Sequence, residues 1–309
     1  MLGEDGVPEG IRTPDLRFRK PLLYPAELPG RSRSAPEGAA RQAHYSRKAP
    51  MRSRAISLAL ALLAPTQAPL QAVAQTCPGL REAVGEAARV NERLEIELSD
   101  GRLLRQTGLA PFPKTPEGHA RHEAARQAIA ARLTGATIEA PSPLLQEDRW
   151  GRISGHVLAN GASLGAWLAA AGLMRAAPEA GDPCGRLILS AEAKARQAKL
   201  GLWADPYYSV LTADKVVALT ARRGEFVLVE GRILRLGQTS ARFYLDFGPA
   251  RGVDLNVTIS RQAAKSFAAA GMNIEALPGR RVRVRGVIEN RQGPSIELIS
   301  PFALEMMGH

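Results

Sequence analysis

The sequence predicts a mainly β fold with added helices (α+β), organised in two domains. Short runs in which apolar and polar residues alternate recur through 93–158 and 225–300, as expected of half-buried strands. Segments with the helical period lie between these runs, and several of them end at a glycine. Hydrophobic residues make up 45% of the chain and charged residues 23%, a balance that excludes a collagen-like or wholly disordered protein.

The chain has 309 residues, which is enough for two domains of ordinary size. Its 41 Lys and Arg residues against 30 Asp and Glu give a net charge of +11, which favours an anionic partner if the charge belongs to the folded part. Two cysteines are too few for a multi-disulfide scaffold or an all-cysteine zinc site. The longest apolar run is shorter than the roughly 18 residues that would indicate a membrane span.

Residues 1–50 are rich in Pro, Gly and Arg and have no sustained apolar period, so we expect them to be disordered. Residues 10–13 (GIRT) and 26–28 (AEL) can be encoded by the complements of the T-loop and D-arm cores of a transfer-RNA gene. The distance between the two matches suits the spacing of those arms. We therefore interpret 1–50 as a mis-annotated upstream translation, and the alternative is a basic natural extension.

A secretory signal peptide is predicted at 51–74. Residues 51–54 (MRSR) are a short positive segment, 55–64 are continuously apolar, and Ala74 ends a small-x-small cleavage site. The alternative is a buried N-terminal helix. Cleavage near Ala74 would leave a periplasmic or secreted protein without a stable membrane span, and would lower the net charge to +6 over 75–309.

Export changes the expectation for the two cysteines. In an oxidising compartment, Cys77 and Cys184 are expected to form a disulfide. The bridge would join the N-terminus of the mature chain to a distant loop. The alternative is two unrelated free thiols.

The first domain is expected over 77–204, before a boundary near 205–214. Its strands are predicted as a hairpin around the turn at 99–101 and as a later strand that turns at Asn160-Gly161. Helices are predicted at 117–133, 164–171 and 187–199.

The second domain is expected over 215–305. Strands are predicted at 225–236, 241–247, 254–259, 280–289 and 295–300, with a helix at 261–270. Three strands, a helix and two strands are the order of a five-stranded OB-type barrel.

Four motifs in the first domain carry a family resemblance. They are residues 98–105 (LSDGRLLR), 148–152 (DRWGR), 172–174 (GLM) and 191–203, which ends in GLW. In this order they resemble the staphylococcal-nuclease-like (thermonuclease) family. The resemblance implies that the first domain is also a five-stranded OB-type barrel, with about three helices.

The resemblance implies a Ca²⁺-dependent phosphodiesterase site, but only part of that site is present. Arg105 and Arg152 stand where the family has two phosphate-binding arginines, which can clamp a phosphate bidentately. The three carboxylate positions, which hold the metal and supply the general base, are occupied by Leu94, Ala110 and Pro113. We therefore predict no catalytic residue, no metal and no cofactor, because loss of the metal and the base removes most of the catalysis.

Other groups near the site were considered as substitutes. Glu95, Glu97, Asp100 and Glu117 are interpreted as solvent-facing strand, turn and helix-start residues. We therefore expect no cluster of two or more carboxylates within metal-binding reach of Arg105 and Arg152. The arginines could instead pair with a carboxylate at the edge of the core, such as that of Asp148.

Two further sets of residues are interpreted as structural. His119 and His122, spaced by one helical turn, are interpreted as surface histidines, since no third metal ligand is placed by spacing. Trp150 and Trp203 are predicted to pack in the core or at its rim, so few aromatic side chains remain to stack on nucleic-acid bases.

The second domain offers binding candidates on its strands. Arg242 and Tyr244, together with Phe247, Arg232 and Arg235, would lie on the face that OB barrels use for ligands. A basic strand contributes Arg281, Arg283 and Arg285 on one face. The alternative for this strand is a solvated face opposite a core side formed by Val282 and Val284.

Taken together, these patterns predict an exported thermonuclease-family protein that has lost catalysis. It would act as a binding or structural module for a phosphate-bearing polymer, such as nucleic acid, or for an envelope protein. The first alternative is an active Ca²⁺-dependent nuclease that uses displaced carboxylates. The second is a protein-interaction scaffold without a nucleic-acid role, and the oligomeric state is left open.

Overall fold

The computed structural model describes residues 77, 80–142, 146–290 and 293–308, which all belong to one compact unit, Gln67–His309. The predicted upstream translation (1–50) and signal peptide (51–74) lie outside the described residues. Runs of strands separated by helices make up the described chain, which confirms the predicted α+β class. No helix in the described part has both the length and the apolarity to cross a membrane.

The N-terminal half (residues 80–204) forms one sheet with three α-helices. Its elements are β1 Leu80–Val90, β2 Glu95–Leu98, β3 Leu103–Gln106, α1 Pro116–Leu133, β4 Thr137–Ser142, β5 Gln146–Glu147, β6 Arg152–Gly155, β7 Leu158–Ala159, β8 Ala162–Ser163, α2 Leu164–Ala170 and α3 Gly185–Gln197. The strand order is β5-β6-β3-β2-β1-β4-β7-β8. Strands β3 and β6 run parallel, and the other neighbours are antiparallel. The sequence did not predict β1.

Helix α1 covers the apolar face of this sheet. It starts with Thr115, whose hydroxyl accepts a hydrogen bond from the Gly118 N–H, and a proline at its first position is compatible with the helical start. Ala125, Ile129 and Leu133 recur at helical spacing and pack into a cluster of buried strand residues. Burying these side chains stabilises each by about 1–3 kcal/mol relative to exposure to water, with alanine at the low end.

The C-terminal half (residues 211–306) consists of two sheets that the chain links by very short connections. Its elements are β9 Leu211–Thr212, α4 Val216–Ala221, β10 Phe226–Arg232, β11 Arg235–Gln238, β12 Arg242–Asp246, β13 Asn256–Ser260, α5 Arg261–Ala269, β14 Arg281–Val287, β15 Glu289–Asn290, β16 Pro294–Glu297 and β17 Leu304–Met306. The sheets have the orders β17-β14-β10-β9 and β11-β12-β13-β16-β15. Two residues separate β10 from β11 and one separates β14 from β15, so the chain passes from sheet to sheet at these two places.

The predicted order of three strands, a helix and two strands is present in this half if β10–β11 and β14–β15 each correspond to one predicted strand, and β9, α4 and β17 are added to it. Its core includes Val229, Phe267, Val282 and Val284, all fully buried. The two valines on β14 therefore face inward, as predicted from their alternation.

The predicted disulfide between Cys77 and Cys184 is confirmed, and it closes a loop of 107 residues. Cys184 directly precedes α3. The described start of the chain is therefore tied to the last helix of the N-terminal half.

Candidate functional site

The 148–152 motif folds into a tight turn that holds Arg152. The Asp148 carboxylate accepts the backbone N–H groups of Trp150 and Arg152 on one oxygen and the Arg152 Nε on the other, at 2.7 Å. Gly151 occupies the left-handed region (φ 70°), which favours glycine. The hydrogen bond from Arg152 lowers the pKa of Asp148 to about 2, so the carboxylate is ionised at neutral pH.

A second carboxylate reaches the same guanidinium. Glu95 is only 3% exposed, and its Oε1 lies 3.1 Å from Arg152 Nη1, while its Oε2 accepts a hydrogen bond from Asn91. The prediction that Glu95 faces solvent is therefore wrong. Two carboxylates, Glu95 and Asp148, also meet at Arg152, against the expectation of no such cluster within metal-binding reach of the arginines. The physical reason is the turn before β2, in which Leu94 takes a left-handed conformation (φ 61°) and Asn91 binds the following backbone N–H groups.

Arg105 lies on the same sheet face but behaves differently. It is the direct cross-strand partner of Glu95, and it is aligned with Ser154 on β6. Its side chain is exposed, and it makes no hydrogen bond or ion pair with another residue that the structure describes. Of the two predicted phosphate-binding arginines, Arg152 is therefore neutralised within the protein, while the Arg105 side chain has no partner among the described residues.

The three positions where the family has carboxylates are apolar and packed. Ala110 and Pro113 are buried, and Leu94 packs against the core of the N-terminal half. The Ala110 backbone N–H bonds to the Arg175 carbonyl, so this segment is fixed. None of these side chains carries an oxygen, which is the ligand atom that Ca²⁺ requires.

A calcium ion therefore does not fit the residues present. The two nearby carboxylates, Glu95 and Asp148, are already engaged by Arg152 and by amide or backbone N–H donors. Over the described ranges, only Cys77, His156 and Cys184 bring three potential ligand atoms together, and those two cysteines are bonded to each other.

The other polar residues considered from the sequence have local structural roles. Glu97 pairs with Arg89, and Asp100 pairs with Arg102 across the hairpin turn. The remaining three lie on α1, where Glu117 and His119 are exposed and His122 contacts the edge of Phe112. These positions agree with the interpretation of surface residues.

Trp150 is more exposed than predicted. It is 60% exposed, and the guanidinium groups of Arg149 and Arg152 lie 3.8 Å and 4.7 Å from its ring centre. Trp203, in contrast, is buried as predicted. The exposed Trp150 ring therefore lies beside Arg149 and Arg152, which the sequence did not predict.

A buried His–Asp pair was also missed. His156 Nε2 lies 2.7 Å from Asp182 Oδ1, and its Nδ1 lies 3.3 Å from the Gln106 amide nitrogen. The pair adjoins the disulfide, and Gly108 leaves the space that both side chains fill. Nothing in the spacing of these residues along the sequence indicated that they meet.

The basic strand of the C-terminal half is not a free binding face. Arg285 is buried and paired with Glu192 on α3, and Arg283 binds Glu230 and Glu305. Arg281 alone of the three is largely exposed. Both interpretations of this strand, a ligand face and a solvated face, are therefore wrong for Arg283 and Arg285, because α3 and β17 cover them.

Arg242 and Tyr244 line a groove of about 800 Å³ on the C-terminal half. The other candidates of this face have structural partners. Phe247 lies in the core, Arg232 donates to the Gly279 carbonyl, and Arg235 pairs with Asp246.

Residues 114–205 match the family model described as staphylococcal nuclease homologue. The match confirms the resemblance for this segment, which is less than a third of the chain and includes Arg152 but not Arg105. Such a domain is of the OB type, and it suggests nucleic-acid binding or nuclease activity. No curated protein matches the chain.

Proposed function

We propose that this protein is an exported, non-catalytic member of the nuclease-like group that binds single-stranded nucleic acid or a similar phosphate-bearing polymer. One observation carries the proposal. Arg152 is enclosed by Glu95 and Asp148, while the positions that would supply a metal and a base are Leu94, Ala110 and Pro113.

The loss of catalysis follows from the chemistry that hydrolysis needs. Phosphodiester cleavage requires an activated water and groups that stabilise the negative charge that develops on the phosphate. Here two carboxylates neutralise one arginine, and both of them, Glu95 and Asp148, already accept hydrogen bonds from donors within the protein. Electrostatic stabilisation of the transition state is therefore reduced at the same place as metal binding.

Binding needs less than catalysis, and its requirements are present. Single strands bind through cations that contact phosphates and aromatic rings that stack on bases. Arg105 is an exposed cation on this face, and Trp150 is an exposed ring with Arg149 beside it. We infer that the strand passes over Trp150 and Arg105.

Export is part of the proposal. It rests on the signal-peptide pattern at 51–74, and the disulfide between Cys77 and Cys184 supports it because such bonds persist outside the reducing cytosol. Residues 1–50 would then not belong to the natural protein.

Binding is tested by fluorescence anisotropy with labelled oligothymidylate over a range of salt concentrations. Trp150→Ala should weaken binding by about tenfold or more, as expected for the loss of one stacked base. Arg105→Ala should weaken binding and reduce the salt dependence by about 0.7 in the logarithmic slope. The control is Arg223→Ala, an exposed arginine on the C-terminal half. Equal affinities for the unmodified protein and all three variants would contradict the proposed surface.

The active-nuclease alternative has one observation in its favour, namely the two carboxylates at Arg152. Glu95→Gln separates the two functions. In a nuclease that uses Glu95, this change should abolish cleavage. In a binding module it should release charge on Arg152 and strengthen DNA retention. If no variant cleaved DNA and none retained it, the result would support the scaffold or an envelope-protein partner instead.

A further inference from the structure

A groove on the C-terminal half has the features of a second binding site. It is lined by alternate residues of β12, namely Arg242, Tyr244 and Asp246, which share one face of the sheet. Its volume of about 800 Å³ is within the range typical of ligand sites. We call it the β12 groove.

The floor of the β12 groove is polar and largely uncharged. On the neighbouring strand β13, Thr258 is paired with Tyr244 and Asn256 with Asp246. On the next strand, β16, Ser295 is paired with Asn256. Hydroxyl and amide groups therefore cover the sheet surface between the charged residues. Such groups both donate and accept hydrogen bonds.

Both arginines in the described lining of the groove, Arg242 and Arg251, face a carboxylate. Asp246 is 6% exposed, and it accepts hydrogen bonds from Asn256 at 2.7 Å and from Arg235 and Arg251 at 3.2 Å. Arg242 faces Glu297 at 3.9 Å. Glu289 and Asp254 also line the groove, so among the residues described its acidic side chains outnumber its arginines. The described part of the lining therefore offers a polyanion no excess of positive charge.

One aromatic ring is open to the groove. Gly237 lies directly across from Tyr244 on β11, and it carries no side chain that could cover the ring. A Cβ at Gly237 would stand 3.6 Å from the Tyr244 Cβ and 3.4 Å from an Arg251 nitrogen. The Tyr244 hydroxyl has no hydrogen-bond partner among the residues described. An aromatic ring beside paired donors and acceptors suits a ligand with apolar faces and many hydroxyl groups.

We propose that the β12 groove binds a segment of a neutral oligosaccharide. A sugar ring stacks on Tyr244, and its hydroxyl groups bond to the side chains of Arg242, Asp246, Asn256 and Thr258. Because the pairs at Asp246 and Arg242 already orient these groups, binding requires little reorganisation. The site is independent of the proposed nucleic-acid surface on the N-terminal half.

The test is isothermal titration of the full-length protein with two neutral probes, N-acetylchitohexaose and cellohexaose. Saturable binding of at least one probe is expected. Tyr244→Ala should weaken it by about tenfold, and Tyr244→Phe should retain it within about threefold because the stacking ring remains. Gly237→Val, which places a side chain over the ring, should also weaken it. Arg281→Ala, outside the groove, is the control.

Two results would overturn the assignment. The first is no saturable binding of either hexasaccharide by protein that melts cooperatively. The second is affinity that stays unchanged in both Tyr244→Ala and Gly237→Val. If oligothymidylate binding were lost in Tyr244→Ala but kept in Trp150→Ala, the groove would be a nucleic-acid site and both proposals would fail. Loss of DNA binding in Trp150→Ala alone leaves the two sites separate.

Discussion

Arg285 on β14 donates a hydrogen bond to Glu192 on α3 at 2.8 Å, and the two side chains are 2% and 0% exposed. Arg285 also donates to the Ala176 carbonyl and pairs with Glu305 on β17. Burial opposes the charge on Arg285, but the two carboxylates outweigh it and raise the pKa of the guanidinium. This network fixes the last helix of the N-terminal half against the C-terminal half.

Removing Arg285 should therefore destabilise the whole unit. Arg285→Met leaves Glu192 buried without its strongest partner, and it should lower the free energy of unfolding by about 3–5 kcal/mol. Arg281→Met, on the same strand but 61% exposed, should cost about 1 kcal/mol or less. Urea denaturation measures both changes. Similar values for the two variants would contradict the structural role of the pair.

The double variant Arg285→Met/Glu192→Met checks the coupling directly. It should lose less stability than the sum of the single variants, because neither charge is then left without a partner. Strict additivity would show that the two side chains do not interact.

The disulfide should make a large contribution to stability. Cys184→Ala opens a loop of 107 residues, and the loop-entropy relation predicts a loss of about 4–5 kcal/mol. Cys77→Ala should cost a similar amount, and the double variant should cost little more than either one. Thermal melts of the unmodified protein and the variants, with and without reductant, measure these losses of stability. Reductant should not shift the melting temperature of the variants.

Stability at low pH should depend on Asp148. Its pKa is lowered from 3.8 to about 2 in the folded protein, so its contribution is fully present above pH 3.8 and is lost as the pH falls towards about 2. Asp148→Asn should lower stability at neutral pH and flatten its decline in this window. Glu179→Gln, at an exposed loop position, is the control. An unchanged pH profile in Asp148→Asn would contradict the assignment.

Export and the true start can be tested together. Expression from Met51 with a C-terminal tag in a bacterial host should yield a protein that is released by osmotic shock and begins at Gln75. Edman sequencing or intact mass reads the new N-terminus. Retention of residues 51–74 in the purified protein would contradict the signal peptide.

The fold was predictable wherever the pattern along the chain decided the element. Helix α1 was predicted within one residue, because its cap, period and final glycine agree. Strand β1 was not, because the sequence LREAVGEAARV is rich in residues that favour helices. Pairing with both β2 and β4 outweighs that preference, and the register shifts at Gly85, which has a positive φ of 122°.

The environment of the candidate site residues was not predictable from the sequence. The alternation of β14 correctly placed Val282 and Val284 in the core, but it could not show that α3 and β17 cover the opposite face. The inward turn of Glu95 likewise depends on Leu94 and on Arg152, which lies 57 residues away. Contacts of this kind are set by tertiary packing. The local alternation or helical period of a single sequence does not indicate them.

Loss of catalysis at the site of Arg105 and Arg152 is best measured by the cleavage of end-labelled single-stranded DNA. The protein is incubated with Ca²⁺ or with EDTA, beside the Arg105→Ala and Glu95→Gln variants and a protein-free sample. We expect no Ca²⁺-dependent cleavage above the protein-free rate in any of them. Cleavage that requires Ca²⁺ and disappears in Arg105→Ala would contradict the account.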